Sequence, residues 1–493
     1  MRAWSVFLFL TTGATLMLAQ SATLSWRFEP IQPDLFATGT TLVNAAADYD
    51  GDGDVDLFVG FNGTPNRLYR NDRGVFVDAA AAAGLADARA TRAAAWGDFD
   101  ADGDPDLLLG VALGAGGVLR LYRNDTGRFV DVTSASGLAV DAGAVRQPVW
   151  VDVDADGDLD LFIGFRDRAD MLFRNTAGKM ADVAADVGLA DPRKTVGAVW
   201  FDYDEDGDLD LYAAHMDGDA NALFRNDDGR FTDVADAAGL AWGARAPRDT
   251  TNGTVRPCVA DVNGDGRFDL FTANYGTNGL FLNRGGGRFE DVSVAWGIAG
   301  DPAARYDTCA FGDVDNDGRV DLYVNGTVTG GKSYRDYLFR NTGTRFEDVT
   351  PDNVRSLEAD HGALWTDVDG DGDEDLALTG AQPAGMHLLL RNLIPAGTAR
   401  SLQIRVLDRR GRATRAGAEV RVYAAGTRRR LAAGLVDSGS SYDAQSDVPV
   451  HAGLGAERRV DVEVAYPAAG RREMTRMHGI NVPVSRTLVV KAR

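Results

Sequence analysis

A chain of 493 residues with 45 % apolar side chains can bury a sizeable core and is long for one compact domain, so several units or one large repeat array are expected. A formal charge of -22 disfavours nucleic acid, whose phosphates such a surface would repel. The acidity is not an even solvated coat but sits in short aspartate blocks, a pattern that needs a local cause.

The chain opens with "MRAWSVFLFLTTGATLMLAQSA", one arginine followed by an apolar run and small residues. Residues 1–22 read as a secretory signal peptide, cut near Ala19–Ala22; the run is short and broken by "TTG", unlike a membrane span. Export is therefore expected, to the medium, the periplasm or the cell surface. No later segment is apolar enough to cross a bilayer.

From Asp48 a block recurs seven times, its first aspartates 50, 54, 50, 59, 52 and 54 residues apart. The blocks hold Asp48, Asp50, Asp52, Asp54 and Asp56; then Asp98, Asp100, Asp102, Asp104 and Asp106; then Asp152, Asp154, Asp156, Asp158 and Asp160. Asp202, Asp204, Asp206, Asp208 and Asp210 make the fourth, and Asp261, Asn263, Asp265, Arg267 and Asp269 the fifth. Asp313, Asp315, Asp317, Arg319 and Asp321, then Asp367, Asp369, Asp371, Asp373 and Asp375, complete the set.

Within each block oxygen donors fall at positions 1, 3, 5 and 9, with glycine at 6. Bare, such carboxylates repel; a hard divalent cation removes the conflict, and glycine permits the turn that wraps the ion. Position 7 is Arg267 or Arg319 in two copies, which points to its backbone carbonyl as the ligand. An EF-hand would need a glutamate at position 12 and a following helix; position 12 here is Val59, Leu109, Ile163, Ala213, Thr272, Val324 or Leu378, followed by strand-like sequence. About seven calcium ions are expected; magnesium demands stricter octahedral geometry.

Each repeat reads as four short strands: one before the block, often with tryptophan two residues ahead (Trp96, Trp150, Trp200, Trp365), one after it, an "LYRN" strand and an "F-x-D-V" strand. Asn and Gly between the last two are hairpin chemistry. Four antiparallel strands per repeat describe a propeller blade, and radial closure leaves only short edges. The seventh repeat lacks its fourth strand, while "LSWRFEPIQPDL" (Leu24–Leu35) resembles one. The expected fold is all-β: a seven-bladed β-propeller over 23–392, closed by its N-terminal strand, with calcium loops.

Cys258 and Cys309 stand three and four residues before their blocks, so strand alternation sends them to opposite faces and does not favour a disulfide. The tryptophans read as packing between blades. The starts of the first strands hold Arg92, Arg146, Arg256, Asp307 and His361, a ring at one channel mouth opposite the metal loops, suited to an anionic or glycan ligand or to channel water. No H-E-x-x-H, G-x-S-x-G or phosphate loop is present, so no catalytic residue is assigned.

Residues 393–400 read as a linker and 401–493 as a small β-sandwich-like domain of alternating strands. Arg428–Arg430 could be a basic contact patch, though such a run is more often a solvated turn.

The pattern D-x-[DN]-x-D-G-x-x-D-L between strands resembles the FG-GAP (VCBS) repeats of integrin α propellers. "VDSGSSYDAQSDVPVHAGLG" (Val436–Gly455) resembles the ASPIC/UnbV domain, and the combination is similar to the cartilage acidic protein group. The resemblance implies a secreted monomeric binding, adhesion or scaffold module with structural calcium and a protein or glycan partner. The alternative is a secreted propeller enzyme acting on a glycan or small molecule at the channel mouth.

Overall fold

The computed structural model describes residues 26–491 except 38, 115–116, 330–331, 356, 358–360, 381–386, 396–398, 440, 469 and 486. The signal-peptide expectation therefore lies outside the described residues. The architecture is all-β and propeller-like. The third repeat shows its unit: Val145–Val151, Asp160–Phe165, Met171–Thr176 and Lys179–Asp182 form an antiparallel meander, with Trp150 opposite Leu161 and Phe162 opposite Leu172. Its second strand is buried throughout, while its fourth buries only Met180. The unit thus grades from core to solvent, matching the shift from continuous apolar runs to alternation.

Each of the other six repeats builds the same sheet. Their first strands pack in succession, Thr41–Ala47 on Thr91–Gly97 and so on round to Ala363–Thr366, which packs back on Thr41–Ala47. The seventh sheet takes its fourth strand from Phe28–Pro30, with Phe28 opposite Asn392 and Pro30 opposite Leu390. The fourth strands of the first four sheets are followed by a one-turn helix (Ala80–Ala83, Thr133–Ser136, Ala184–Val187, Ala235–Ala238) that hands the chain to the next unit, and Asp352–Arg355 and Pro33–Phe36 stand at the same place after the sixth and seventh. In the first four, the helix ends on a glycine with φ between 82° and 94°, the left-handed C-cap that lets the chain reverse.

Trp96, Trp150 and Trp200 are at most 2 % exposed, inside the contacts between units. The indoles of Trp96, Trp150 and Trp365 also donate to the preceding unit's first strand, at Ala45, Ala95 and Ala310 carbonyls 3.2–3.3 Å away.

One expectation fails: Cys258 and Cys309 form a disulfide, their Cα atoms 6.2 Å apart. The alternation argument is sound, for the two do face opposite sides of their own sheets. Neighbouring sheets stack face to face, however, so opposite faces of adjacent units are the ones that meet. Both residues lie in the core shared by the fifth and sixth units.

Residues 400–491 form two sheets over one core that includes Ile404, Val422 and Val462. Arg400–Leu407 lies between Val450–Gly455 and Thr487–Lys491; Glu419–Ala424 pairs with Arg430–Leu435 and Arg459–Pro467, and the last of these with Arg472–Asn481. The stretch read as a linker begins inside the ring: the Leu393 amide donates to the Arg27 carbonyl at 2.9 Å, and Ile394 is buried in the seventh unit.

The long polar connection after Leu435 enters the ring and lies along its first strands. Ala444–Gln445 adds as a fifth, parallel strand to Thr91–Gly97. Backbone and side-chain groups from Ser438 to Asp447 bond to Ala46, Ala94, Trp150 and Trp200. First strands of a ring expose an edge of unpaired amides and carbonyls toward the axis. This segment satisfies part of that edge.

Candidate metal loops and channel mouth

All seven aspartate loops have one construction. Glycine at position 6 takes φ between 92° and 105°, closed to most side chains, and its amide donates to Oδ2 of the first aspartate at 2.8–3.1 Å. The aspartate at position 9 is buried under the turn. Its Oδ1 accepts the amide of the "LYRN"-type asparagine at 2.7–2.8 Å in every unit. In six units its Oδ2 also accepts the amide at position 2, at 3.0–3.2 Å. Position 9 therefore fixes the loop to the hairpin beyond it, whatever else it binds.

That asparagine has a role its sequence context hid. Its Nδ2 reaches back to the preceding unit's loop, from Asn124 to the Tyr49 carbonyl at 2.8 Å and from Asn175 to Phe99 at 2.7 Å. Asn71 closes the circle by donating to Val368 of the seventh unit at 2.7 Å. Sequence reasoning sees only a turn residue; the contact crosses between repeats and leaves no local pattern.

Carboxylate oxygens gather inside the loops. One oxygen each from Asp48, Asp50 and Asp56, from Asp98, Asp100 and Asp106, from Asp152, Asp154 and Asp156, from Asp202, Asp204 and Asp206, and from Asp313, Asp315 and Asp317 lie within 4.8 Å of one another. With Oδ2 of the first aspartate held by glycine, its buried Oδ1 has no hydrogen-bond donor in Asp48, Asp98, Asp152 and Asp202 among the described residues. Asp100, Asp204 and Asp315 each leave Oδ1 in the same condition. Orphaned buried acceptors of this kind are costly unless a cation meets them. The donor set, all oxygen, fits a hard divalent ion.

Metal-free burial raises these acids, pushing Asp98 and Asp152 up to about 7, Asp56 to about 8 and Asp106 to about 9. The two arginines at position 7 pair with the aspartate at position 5 of their own loop, Arg267 with Asp265 at 2.7 Å and Arg319 with Asp317, and each also reaches the hairpin beyond. Arg267 donates to the Asn283 carbonyl at 2.9 Å, Arg319 to the Asn341 carbonyl at 2.9 Å, and Asp54 accepts the Arg73 amide at 3.1 Å.

The C-terminal sheets sit on this loop face. Arg415 lies 3.4 Å from Asp152 Oδ2, Arg472 2.7 Å from Asp202 Oδ2 and Arg430 2.9 Å from Asp261 Oδ2. Each arginine takes the outer oxygen of a first aspartate and leaves Oδ1 inside the loop. The reading of Arg428–Arg430 as a solvated turn is thus corrected at its last residue. His451 Nε2 stands 2.7 Å from Asn316 Oδ1 in the sixth loop.

At the opposite mouth the structure brings together Arg92, Arg146, Asp307 and His361 around a cavity of about 190 Å³, with Arg166, Tyr275 and Tyr442 also in its wall. Arg256 does not join them: fully buried, it donates to Gln147 and to the Gly439 carbonyl inside the ring, and burial lowers its pKa to about 10. His361 Nδ1 is 3.2 Å from Asp307 Oδ2, and its ring stacks on Tyr442 with centroids 5.0 Å apart. Asp443 at the tip of the inserted segment is completely buried, 3.6 Å from Arg92 and 3.5 Å from Arg146. Sequence reasoning missed Tyr442 and Asp443 because it placed the tail apart from the ring. The available signal was a polar run, "DSGSSYDAQSD", with a single large apolar ring in it.

Gln445 anchors the segment, accepting the Trp150 amide at 2.7 Å and donating to the Trp150 and Asp437 carbonyls at 3.0 Å. Gln445→Leu leaves a buried amide without an acceptor and is expected to cost about 2 kcal/mol in urea unfolding; an unchanged midpoint would show that the segment does not rely on this anchor.

The FG-GAP-like repeat family matches residues 48–109, 152–213, 202–271 and 261–324, and the ASPIC and UnbV family matches 409–493. Cartilage acidic protein 1 of Mus musculus is 26 % identical over 338 residues, 66 % of this chain and 50 % of its own length. The Homo sapiens protein is 28 % identical over 258 residues, 50 % of this chain and 37 % of its own. The chain thus spans half or less of the curated relatives it matches. Among solved structures, the BP39L lectin from Burkholderia pseudomallei aligns with a TM-score of 0.47 at 13 % identity, over 72 % of this chain and 96 % of its own. The chain is an FG-GAP-repeat protein with a C-terminal ASPIC and UnbV region, homologous to cartilage acidic protein 1.

Proposed function

We propose that the chain is a secreted, calcium-loaded, seven-bladed propeller that works as a monomeric binding or scaffold module, with calcium structural. On this reading residues 1–22 are a leader, 23–392 the ring, 393–400 a short connection and 401–493 a β domain docked on the calcium face. The observation that carries it is the repeated loop in which carboxylate oxygens gather, with the first-aspartate Oδ1 of four loops (Asp48, Asp98, Asp152 and Asp202) left without a donor among the described residues. Calcium would be held by the oxygens at positions 1, 3, 5 and 9 and the carbonyl at 7, and supplies the positive charge the buried acids lack.

The disulfide supports export, since such bonds persist in oxidising compartments. No described helix is long and apolar enough to cross a membrane. Equilibrium dialysis followed by metal analysis tests the reading: about seven calcium ions per chain are expected, and fewer than two would overturn it.

A further inference from the structure

We propose that the C-terminal region divides the calcium loops into two classes, pinning the third to seventh and leaving the first and second free, so that two ions exchange quickly and five slowly. The proposal rests on the reading of the aspartate loops as calcium sites and names what governs their exchange.

The glycine at position 6 shows the division, because it lies in the turn of every loop. A side chain placed on Gly53 or Gly103 would meet no atom within 4 Å, and both residues are exposed. The same addition would press on Arg412 at Gly157, Arg471 at Gly207, Arg430 at Gly266, Leu431 at Gly318 and Ser401 at Gly372. Five successive turns are thus covered by the C-terminal region, and two are not.

The cover is bonded to the loops as well as packed on them. The Gly157 carbonyl accepts from Arg412 at 3.0 Å, the Gly207 carbonyl from the Ala468 amide at 3.1 Å and the Gly266 carbonyl from Arg421 at 2.9 Å. In the sixth loop the Asn316 carbonyl accepts the Gly455 amide at 3.0 Å, and Asn316 Nδ2 donates onward to the Gly372 carbonyl of the seventh at 3.2 Å. Arginines on the outer oxygen of the first aspartate add a second hold in loops three to five. These bonds leave Oδ1 of Asp152, Asp202 and Asp315 without a donor, so the cover and an ion do not compete for them.

A cage of carboxylates releases its ion by letting the oxygens go one after another, and the turn must flex for that. In the first two loops the turn flexes alone. In the other five, flexing also strains or breaks bonds to the C-terminal sheets, each of which should slow release about fivefold. The cover leaves the way out open, for Asp156, Asp206 and Asp265 at position 5 are exposed. It acts by stiffening the cage, and rigidity is one of the properties that tune a calcium site.

The full, calcium-saturated chain should be mixed with excess fluorescent chelator in a stopped-flow instrument, and the released ions counted against time. About two ions are expected in a fast phase and about five in a phase at least roughly tenfold slower. Asp52→Ala with Asp102→Ala, exposed ligands of the two open loops, should remove the fast phase alone and lower the bound total by about two. Arg412→Met with Arg421→Met, which loses the bonds to Gly157 and Gly266, should keep the total and speed about two of the slow ions by about fivefold. Release of all ions in one phase, or a fast phase that survives in the Asp52 and Asp102 variant, overturns the division and leaves the calcium reading standing. Slow release unchanged in the folded arginine variant overturns it as well. A chain that binds no calcium overturns both.

Discussion

Chelation of calcium is expected to lower the melting temperature of the mature chain by about 10 °C. An extracellular site of ~0.1 mM affinity at ~1 mM calcium contributes about 1.4 kcal/mol, and seven independent sites about 10 kcal/mol. Spread over a melting entropy of about 2.1 cal/mol/K per residue, that sum corresponds to the stated shift. The sign of the pH dependence makes the test sharper. Without metal, burial holds Asp56 and Asp160 at about 8 and Asp106 at about 9, well above the unfolded value of 3.8. The fold then keeps protons that the unfolded chain releases, so metal-free stability falls as pH rises from about 4 toward 9. Calcium stabilises the ionised acids and should remove that fall. Differential scanning calorimetry at pH 5 and pH 8, with calcium and with chelator, gives four values. Equal melting temperatures with and without calcium at pH 8 would sink the calcium claim.

Repetition makes the architecture legible before any coordinates. The glycine at position 6 and the change from "DGDLDLFIG" to "LFRN" place a turn and two strands in each repeat, and seven copies make the ring the economical closure. Local chemistry likewise points to oxygens that gather around a cation. What the sequence withholds are contacts made across repeats. Nothing near Asn124 indicates that its amide reaches the Tyr49 carbonyl of the preceding loop. The one-turn helices after the fourth strands are too short for a period of 3.6 residues to register. The inserted segment is hidden for a different reason: it pairs with first-strand backbone, which has no side-chain signature, and its own polar composition reads as an ordinary loop. The mouth was therefore half visible. Arg92, Arg146, Asp307 and His361 converge, while the buried carboxylate 3.5–3.6 Å from the two arginines, Asp443, comes from the distant tail, where no local pattern announces it.

The disulfide is the second large stabilising term, and replacing both cysteines by serine is expected to cost about 4 kcal/mol. Cys258 and Cys309 are 51 residues apart, and cross-linking a loop of that length removes that much chain entropy from the unfolded state. Within the fold the fifth and sixth units are already held by a shared core of Phe271, Leu280, Tyr306 and Leu322. The bond therefore adds little to native geometry, and the loss should appear as easier unfolding with the ring intact. Urea unfolding of the calcium-saturated double-serine variant measures it, with calcium stoichiometry expected to match the parent. A loss below about 1 kcal/mol would mean that the unfolded chain keeps these two units together without the bond, as residual denatured-state structure can do. A loss of calcium from the fifth and sixth loops would instead mean that the bond shapes the native loops, each of which begins within four residues of its cysteine.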